Sequence, residues 1–314
     1  MGRIRILATS RDGHRVAVGS YDHRVAVWDI ERCEKVSEFE TVLGFPGDLG
    51  ITPDGRLVVA GQYGAEGAGC YDAETGEALW IRRELKRFEH VSIVPDGTRA
   101  YCGFAEGSGR VVNVQTGETL EKLRGIREMI VSPFGDAVVL IGHGQRIARL
   151  DDGRTVAKLK SGDIFGCGFA PGLVLLSGVQ AFTPDDPTPW IYRRWCVEVR
   201  SGEEVWRHEW TDPVSTLGRG YDERDGVFLA LESKIGEGRP RALLRLDPET
   251  GGEVGRVALP KFAREIELCS KGAEMLCPNG SILDTRSGKT LRALDFAGVS
   301  DANTERRGNP GMGR

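Results

Sequence analysis

The sequence lacks several features that mark common classes of protein. Among its 314 residues, no stretch approaches the ~20 consecutive apolar residues of a membrane-spanning helix. Met1 to Gly13 is rich in charge and carries no apolar run of the kind found in secretion signals. The seven cysteines are an odd number and form no Cys-x-x-Cys pair, which argues against a disulfide framework and a zinc site. We therefore expect a cytoplasmic protein with reduced thiols and no membrane contact.

An excess of basic charge is also missing. The formal net charge is −4 and the isoelectric point is near 5.9, whereas a nucleic-acid-binding surface needs clustered positive charge. The five histidines form no His-x-His or His-x-x-x-His pair, so no metal site is expected. Nucleophile motifs such as Gly-x-Ser-x-Gly are lacking. No catalytic residue, cofactor or nucleic-acid partner is therefore predicted.

Two turn signatures alternate along the chain, seven times each. The first is Pro-Asp-Gly or a variant, and it ends at Gly13, Gly55, Gly97, Gly135, Gly172, Gly226 and Gly272. The second is Asp followed by Thr-Gly-Glu or a variant, and it lies at Cys33, Gly76, Gly117, Gly153, Gly202, Gly251 and Gly288. Members of the first series recur about 43 residues apart on average, which is the period of β-propeller blades.

Apolar runs of strand length and β composition, such as RVAVGS, RLVVAG and VFLALE, lie between the turns. One unit therefore contains four strands, called a, b, c and d, with the first turn between a and b and the second between c and d. A four-stranded meander cannot bury both of its faces alone, whereas units stacked radially into a ring can. The sequence predicts an all-β fold: a single seven-bladed β-propeller over residues 1–296, with four antiparallel strands per blade. A polar and flexible tail is predicted over residues 297–314.

Two segments carry a resemblance to a known superfamily. GSYDHRVAVWD, from Gly19 to Asp29, resembles the strand b to strand c segment of WD-repeat proteins. YDAETGEALW, from Tyr71 to Trp80, is similar to the quinoprotein-like repeat Asp-x-x-Thr-Gly-x-x-x-Trp, and VRSGEEVW matches it in part. The chain thus resembles the WD-repeat and quinoprotein-like β-propeller superfamily over nearly its whole length. The resemblance implies the fold more than the function, because this fold hosts many functions.

The chain departs from the family in two respects. Only blade 1 keeps the Trp-Asp pair, and the Gly-His pair between blades is absent, so we expect that the family's histidine–serine–tryptophan tetrad is not assembled. Blade 1 already holds its own strand d, Lys35 to Phe39, and no spare strand precedes Ile4. We therefore expect blade 1 to close against blade 7 by packing, without exchange of a strand.

Variation in length concentrates in the loops between strands b and c. The longest lies in blade 5, between Gly172 and Gly202. The b–c loops and the d–a connections between blades share one end of the ring, here called the top face; the a–b and c–d turns share the other, the turn face. Long loops on a rigid scaffold usually carry function, so the top face is the predicted binding surface.

The candidate binding residues are aromatic or basic, types that are enriched at interaction hot spots. One group follows the proline-rich insertion of blade 5, and the other lies in the d–a connections near the channel mouth. As an alternative, the apolar members fill the tops of the blade interfaces, Trp190 starts strand c and the arginines are solvated. The predicted partner-binding residues are Phe45, Arg87, Phe88, His90, Arg127, Trp190, Tyr192, Arg193, Arg194, Phe262 and Arg264.

These observations favour a non-catalytic scaffold that binds a protein or peptide through the top face. The alternative is a small-molecule hydrolase, similar to lactonases, with a carboxylate or calcium site in the central channel. Its candidate carboxylates, near the starts of strands a, are Asp48, Glu89, Glu128 and Asp163. A quinone-cofactor dehydrogenase, which the repeat resemblance suggests, would need the adjacent cysteine pair of that family, and the sequence lacks it. An exposed apolar patch would favour the binder, whereas convergent carboxylates of raised pKa would favour the enzyme.

Overall fold

A computed structural model describes residues 3–42, 44–62, 67–85, 87–104, 108–159, 163–180, 190–212, 214–234, 239–263 and 266–296. The tail predicted over residues 297–314 lies outside these ranges. Within them the chain forms 28 strands, β1 to β28, and one 3-10 turn at Ser270–Gly272.

The strands fall into seven consecutive groups of four, here called blades 1 to 7. Blade 1 contains β1 (Ile4–Thr9), β2 (Arg15–Ser20), β3 (Arg24–Asp29) and β4 (Glu34–Glu40). Blade 2 contains β5 (Pro46–Ile51), β6 (Leu57–Gln62), β7 (Ala68–Asp72) and β8 (Ala78–Arg82). Blade 3 contains β9 (Phe88–Ile93), β10 (Arg99–Phe104), β11 (Ser108–Asn113) and β12 (Thr119–Arg124). Blade 4 contains β13 (Ile126–Val131), β14 (Ala137–Gly142), β15 (Arg146–Arg149) and β16 (Thr155–Lys158).

The remaining three blades follow the same plan. Blade 5 contains β17 (Asp163–Ala170), β18 (Leu173–Gln180), β19 (Ile191–Glu198) and β20 (Glu204–Trp210). Blade 6 contains β21 (Val214–Asp222), β22 (Val227–Lys234), β23 (Pro240–Leu246) and β24 (Glu253–Ala258). Blade 7 contains β25 (Glu267–Cys269), β26 (Glu274–Leu276), β27 (Ser281–Asp284) and β28 (Thr290–Ala293). Every sheet pairs its four strands in chain order, so the predicted seven-bladed propeller is confirmed.

The c–d turns owe their regularity to an aspartate at the end of strand c. In blade 2 the Asp72 carboxylate accepts hydrogen bonds from the backbone N–H groups of Glu74 (2.9 Å) and Thr75 (2.8 Å). Asp247 and Asp284 make the same pair of contacts in blades 6 and 7. Each carboxylate thereby accepts hydrogen bonds from backbone N–H groups of the turn that have no partner on the neighbouring strand. This role explains why the Asp-Thr-Gly signature recurs.

Tryptophans of strand d join neighbouring blades. The indole N–H of Trp80 donates to the carbonyl of Val114 in blade 3, and that of Trp206 donates to Pro248 in blade 6, both at 2.7 Å. The Trp80 ring covers Gly117, where an added Cβ would lie 2.6 Å from a ring carbon. The turn glycine is therefore required both by its φ of +69° and by the ring above it.

Blade 7 closes on blade 1 by packing, in agreement with the sequence prediction. One core cluster draws its residues from both blades, and within it the Trp28 and Phe296 rings meet edge to face at 5.5 Å. Arg292 of β28 donates to the Ile30 carbonyl at 3.1 Å. The sheets of the described chain exchange no strand across this boundary. Among the described residues the buried Trp28 Nε1 has no hydrogen-bond partner, so this indole takes part in no tetrad of the kind that the family resemblance implies.

Strand a of blades 1 to 6 carries a β-bulge that the sequence pattern does not reveal. The pairing with strand b skips one residue in each case. The skipped residues are Arg5, Gly47, Glu89, Arg127, Phe165 and Arg219. A bulge shifts the alternation of a strand by one position, so counting by twos from the turn misassigns residues beyond it.

Candidate functional site

A cluster of aromatic and arginine side chains lies on the top face where blades 1 and 2 meet. Tyr21 stands in the b–c connection of blade 1 and Phe45 in the connection to blade 2, with ring centroids 5.9 Å apart. The Arg5 guanidinium lies 5.4 Å from each of these centroids, and Arg3 lies 5.6 Å from that of Tyr21. Val42, in the same d–a connection as Phe45, is 60% exposed. These five residues are here called the Tyr21 cluster.

The cluster is exposed yet held in place. Tyr21 is 45% exposed, and Arg5 Nη1 lies 3.4 Å from its hydroxyl oxygen. The Arg5 guanidinium holds the Tyr21 and Phe45 rings in place through cation–π contacts, so a partner that covers these rings would immobilise little that is not already ordered. The arrangement offers an ordered aromatic surface.

Of the Tyr21 cluster, the sequence prediction included only Phe45. Tyr21 was missed because it occupies a short loop, whereas the prediction followed the long ones. Its signal was present in the sequence as an aromatic residue at the tip of the b–c turn, directly before Asp22.

The aromatic residues predicted in blade 5 have different environments. Trp190 is 56% exposed at the start of β19, as a binding residue should be. Tyr192 is buried and stacks on Trp210, with centroids 6.4 Å apart. Residues 181–189 of the insertion lie outside the described chain. On the described part of this loop, Trp190 is therefore the aromatic side chain available to a partner.

The two arginines predicted in blade 5 pack within the ring. Arg194 is buried against blade 6, where Nη2 donates to the Gly251 carbonyl at 3.3 Å. Arg193 is half-buried, and its guanidinium lies 4.9 Å from the Trp195 ring centroid. Burial lowers the pKa of both arginines. These contacts suit a structural role within the blades.

The residues predicted in the d–a connections also divide by burial. Phe88 is fully buried and packs edge to face on Phe104, as the alternative interpretation expected. Phe262 is 41% exposed, and Arg87 and Arg127 are exposed. Arg264 lies outside the described residues.

His90 is paired inside the ring. Its Nδ1 lies 3.3 Å from Oδ2 of Asp48 in blade 2, and that carboxylate also accepts the backbone N–H of Val91 at 2.7 Å. Burial works against the imidazolium, but Asp48 and then Glu128 outweigh it, so the pKa of His90 is raised. Asp48 and His90 therefore join blades 2 and 3, and Asp48 has no carboxylate oxygen left without a partner, since Oδ1 accepts from Leu49.

A cavity of about 310 Å³ occupies the channel on the side of the turn face. Residues from all seven blades line it. Phe134, from the a–b turn of blade 4, lies at its rim between Arg11 of blade 1 (5.5 Å to the ring centroid) and Tyr221 of blade 6 (6.1 Å between centroids). The channel cavity therefore lies away from the face that the sequence analysis favoured.

Glu267, a residue that the sequence analysis did not select, lines this cavity. Burial raises the pKa of its carboxyl to about 7. The positive charge of Arg219 and a hydrogen bond with Thr9 lower this pKa, whereas the negative charge of Asp48 raises it further. The group can therefore give or take a proton near neutral pH. No cluster of three or more histidine, cysteine or acidic side chains suited to a metal occurs among the described residues.

Comparisons with known proteins give short sequence matches. No family model matches the chain. It is 39% identical over 57 residues to the guanine nucleotide-exchange factor SEC12 of Rattus norvegicus, a match covering 18% of this chain and 14% of that protein. It is 34% identical over 82 residues to the meiotic recombination protein rec14 of Schizosaccharomyces pombe, covering 26% and 24%. The matched segments thus span less than a quarter of either relative. In the described residues, no helix has the length and hydropathy of a membrane span.

Solved structures match over most of the chain. Hydrazine synthase of Kuenenia stuttgartiensis superposes with a TM-score of 0.67 at 15% identity, covering 89% of this chain and 94% of that one. The designed protein Ika8 gives a TM-score of 0.64 at 16% identity, covering 92% and 86%, and U3-55K gives 0.62 at 12% identity, covering 87% of each. At these identities the likeness concerns the fold. The chain is a seven-bladed β-propeller with weak sequence similarity to SEC12 and rec14, in line with the resemblance to WD-repeat propellers.

Proposed function

We propose that this propeller is a non-catalytic scaffold that binds a protein or peptide through its top face. The observation that carries the proposal is the Tyr21 cluster, in which the exposed Tyr21 ring and the Phe45 ring are held by an arginine and exposed Val42 lies in the same connection as Phe45. Binding surfaces characteristically combine aromatic and arginine anchors with an apolar patch. Short sequence matches to WD-repeat proteins support an interaction role in general. We place this role in the cytoplasm, as the sequence predicts.

The partner that fits the cluster is a protein segment presenting an apolar or aromatic side chain. That side chain would cover the Tyr21 ring and Val42. Trp190 and Phe262, which are also exposed on the top face, would extend the contact around the ring.

The test is quantitative affinity capture from the native host with three forms of the protein. The double variant Tyr21→Ala/Phe45→Ala removes the cluster, and Leu79→Ala/Leu120→Ala removes two exposed apolar side chains of strands d as a matched control. We expect proteins that are retained by the wild type and the control to be lost by the cluster variant. An identical set of bound proteins for all three forms would reject the proposal.

Glu267 favours a second candidate function, hydrolysis of a small substrate in the channel cavity. A carboxyl with a pKa of about 7 in a cavity can serve as a general base that takes a proton from water. Glu267→Gln keeps the shape and removes the base, so it would abolish turnover of any lactone or ester that the wild type hydrolyses. The same rate in both proteins would dismiss this candidate.

A further inference from the structure

The channel cavity has charged groups at its inner end and apolar walls. Arg219 and Glu267 line it together with side chains from the ends of strands a. The apolar part is formed mainly by Leu49, Ile51, Val91, Ile93, Val131 and Phe169. A volume of about 310 Å³ lies at the lower end of the range for small-molecule sites. The cavity therefore has the size and wall chemistry to hold a small molecule with an apolar body.

Arg219 owes its place in the channel to the bulge in β21. Gly218 pairs with Ala230 and Gly220 with Leu229, which leaves Arg219 outside the ladder. Arg219 lines the channel cavity, as Glu267 of blade 7 does, and its positive charge opposes the rise in the pKa of that carboxyl. The arginine is exposed to the channel. Within the described part of the chain, Arg219 makes no hydrogen bond or ion pair, so its donors are open to a ligand.

The other charges of the cavity leave it suited to an anion. Lys271 and Glu223 form an ion pair at the rim with 3.6 Å between Nζ and Oε2, and they neutralise each other. Arg11 adds a positive charge over the Phe134 ring. Burial raises the pKa of Glu267 to about 7, so the carboxyl is partly protonated near neutral pH, and its protonated form can donate a hydrogen bond to an anion.

We propose that the channel cavity binds a small organic monocarboxylate with an apolar or aromatic body, whose carboxylate pairs with Arg219. The guanidinium fork matches a carboxylate in two parallel hydrogen bonds, and the ring of aliphatic side chains encloses the body. Phe134 and Tyr221 meet edge to face at the rim of the cavity, and their rings would cover the aromatic part of a bound ligand on the side of the turn face. The site lies on the turn face, so it is independent of the partner surface proposed above.

The experiment uses phenylacetate as the probe and isothermal titration calorimetry on the whole chain. We expect saturable one-to-one binding to the wild type and a loss of affinity of about tenfold or more in Arg219→Met, because a hydrogen bond to a charged group is removed. Arg200→Met, which removes an exposed arginine in a c–d turn, is the matched control and should bind as the wild type does. Capture of proteins by the top face should be unchanged in Arg219→Met.

The same titration with phenylacetamide and phenethylamine tests the charge requirement without any variant. The amide keeps the shape and removes the charge, and the amine reverses it, so both should bind at least tenfold more weakly than phenylacetate. The proposal is overturned if phenylacetate does not bind, if the amide or amine binds equally well, or if Arg219→Met keeps full affinity.

Discussion

The buried carboxyl of Glu267 makes the stability of the ring depend on pH. An unfolded glutamate has a pKa of about 4.3, whereas burial raises that of Glu267 to about 7 in the fold. The folded state therefore holds this proton more tightly than the unfolded chain does. The contribution is fully present below about pH 4.3, and it is lost progressively as the pH rises through 7.

The size of the effect follows from the shift. Each pKa unit corresponds to about 1.4 kcal/mol, so the wild type loses at most about 4 kcal/mol from this group once the pH is well above 7. Glu267→Gln keeps the shape of the side chain and cannot ionise. Relative to the wild type, the variant should therefore gain up to about 3 kcal/mol in free energy of unfolding between pH 5 and pH 8.

Urea unfolding at pH 5, 6, 7 and 8 measures this difference. Glu249→Gln, which alters an exposed glutamate of a c–d turn, is the control and should follow the wild type at every pH. If the difference between Glu267→Gln and the wild type were the same at pH 5 and pH 8, the reasoning about the buried carboxyl would be refuted.

Two further predictions concern a contact between blades 2 and 3 and a buried ion pair within blade 6. Gly117 and Gly153 share a φ of +69°, but an added Cβ meets the Trp80 ring at 2.6 Å only at Gly117, whereas it meets nothing within 4 Å at Gly153. Gly117→Ala should therefore cost about 1–3 kcal/mol more than Gly153→Ala in thermal or urea unfolding, and equal losses would contradict the docking role of the ring. Asp222 is fully buried and 3.0 Å from Arg245 Nη1, so Asp222→Asn should lower the free energy of unfolding by about 3–5 kcal/mol; a loss below 1 kcal/mol would show that the arginine is otherwise compensated.

The blade pattern could be predicted from the sequence because the chemistry of its turns is local. In blades 2, 6 and 7 the c–d turn contains both the aspartate that accepts the backbone hydrogen bonds and the glycine with positive φ, within five residues. Counting the turns therefore gave the number of blades and the order of the strands.

The site could be predicted only in part because burial depends on distant segments. Arg194 contacts Gly251, which lies 57 residues further along the chain. The sequence around position 194 contains no pattern that predicts this contact. The bulge at Arg219 cannot be predicted from the sequence either, because a bulge changes the strand pairing and requires no particular residue type. The exposure of Trp190 and Phe262, in contrast, agrees with the sequence prediction.

The packing of Trp28 of blade 1 on Phe296 next to blade 7 bears on whether the protein tolerates circular permutation. This boundary is held by side-chain packing and single hydrogen bonds, as the other blade boundaries are. The contacts therefore determine which blades are neighbours in the ring, but they do not require that the chain begin at blade 1. β1 begins and β28 ends on the same face of the ring. A circularly permuted protein that starts at β5, with a short linker between Phe296 and Arg3, should rebuild the same disc.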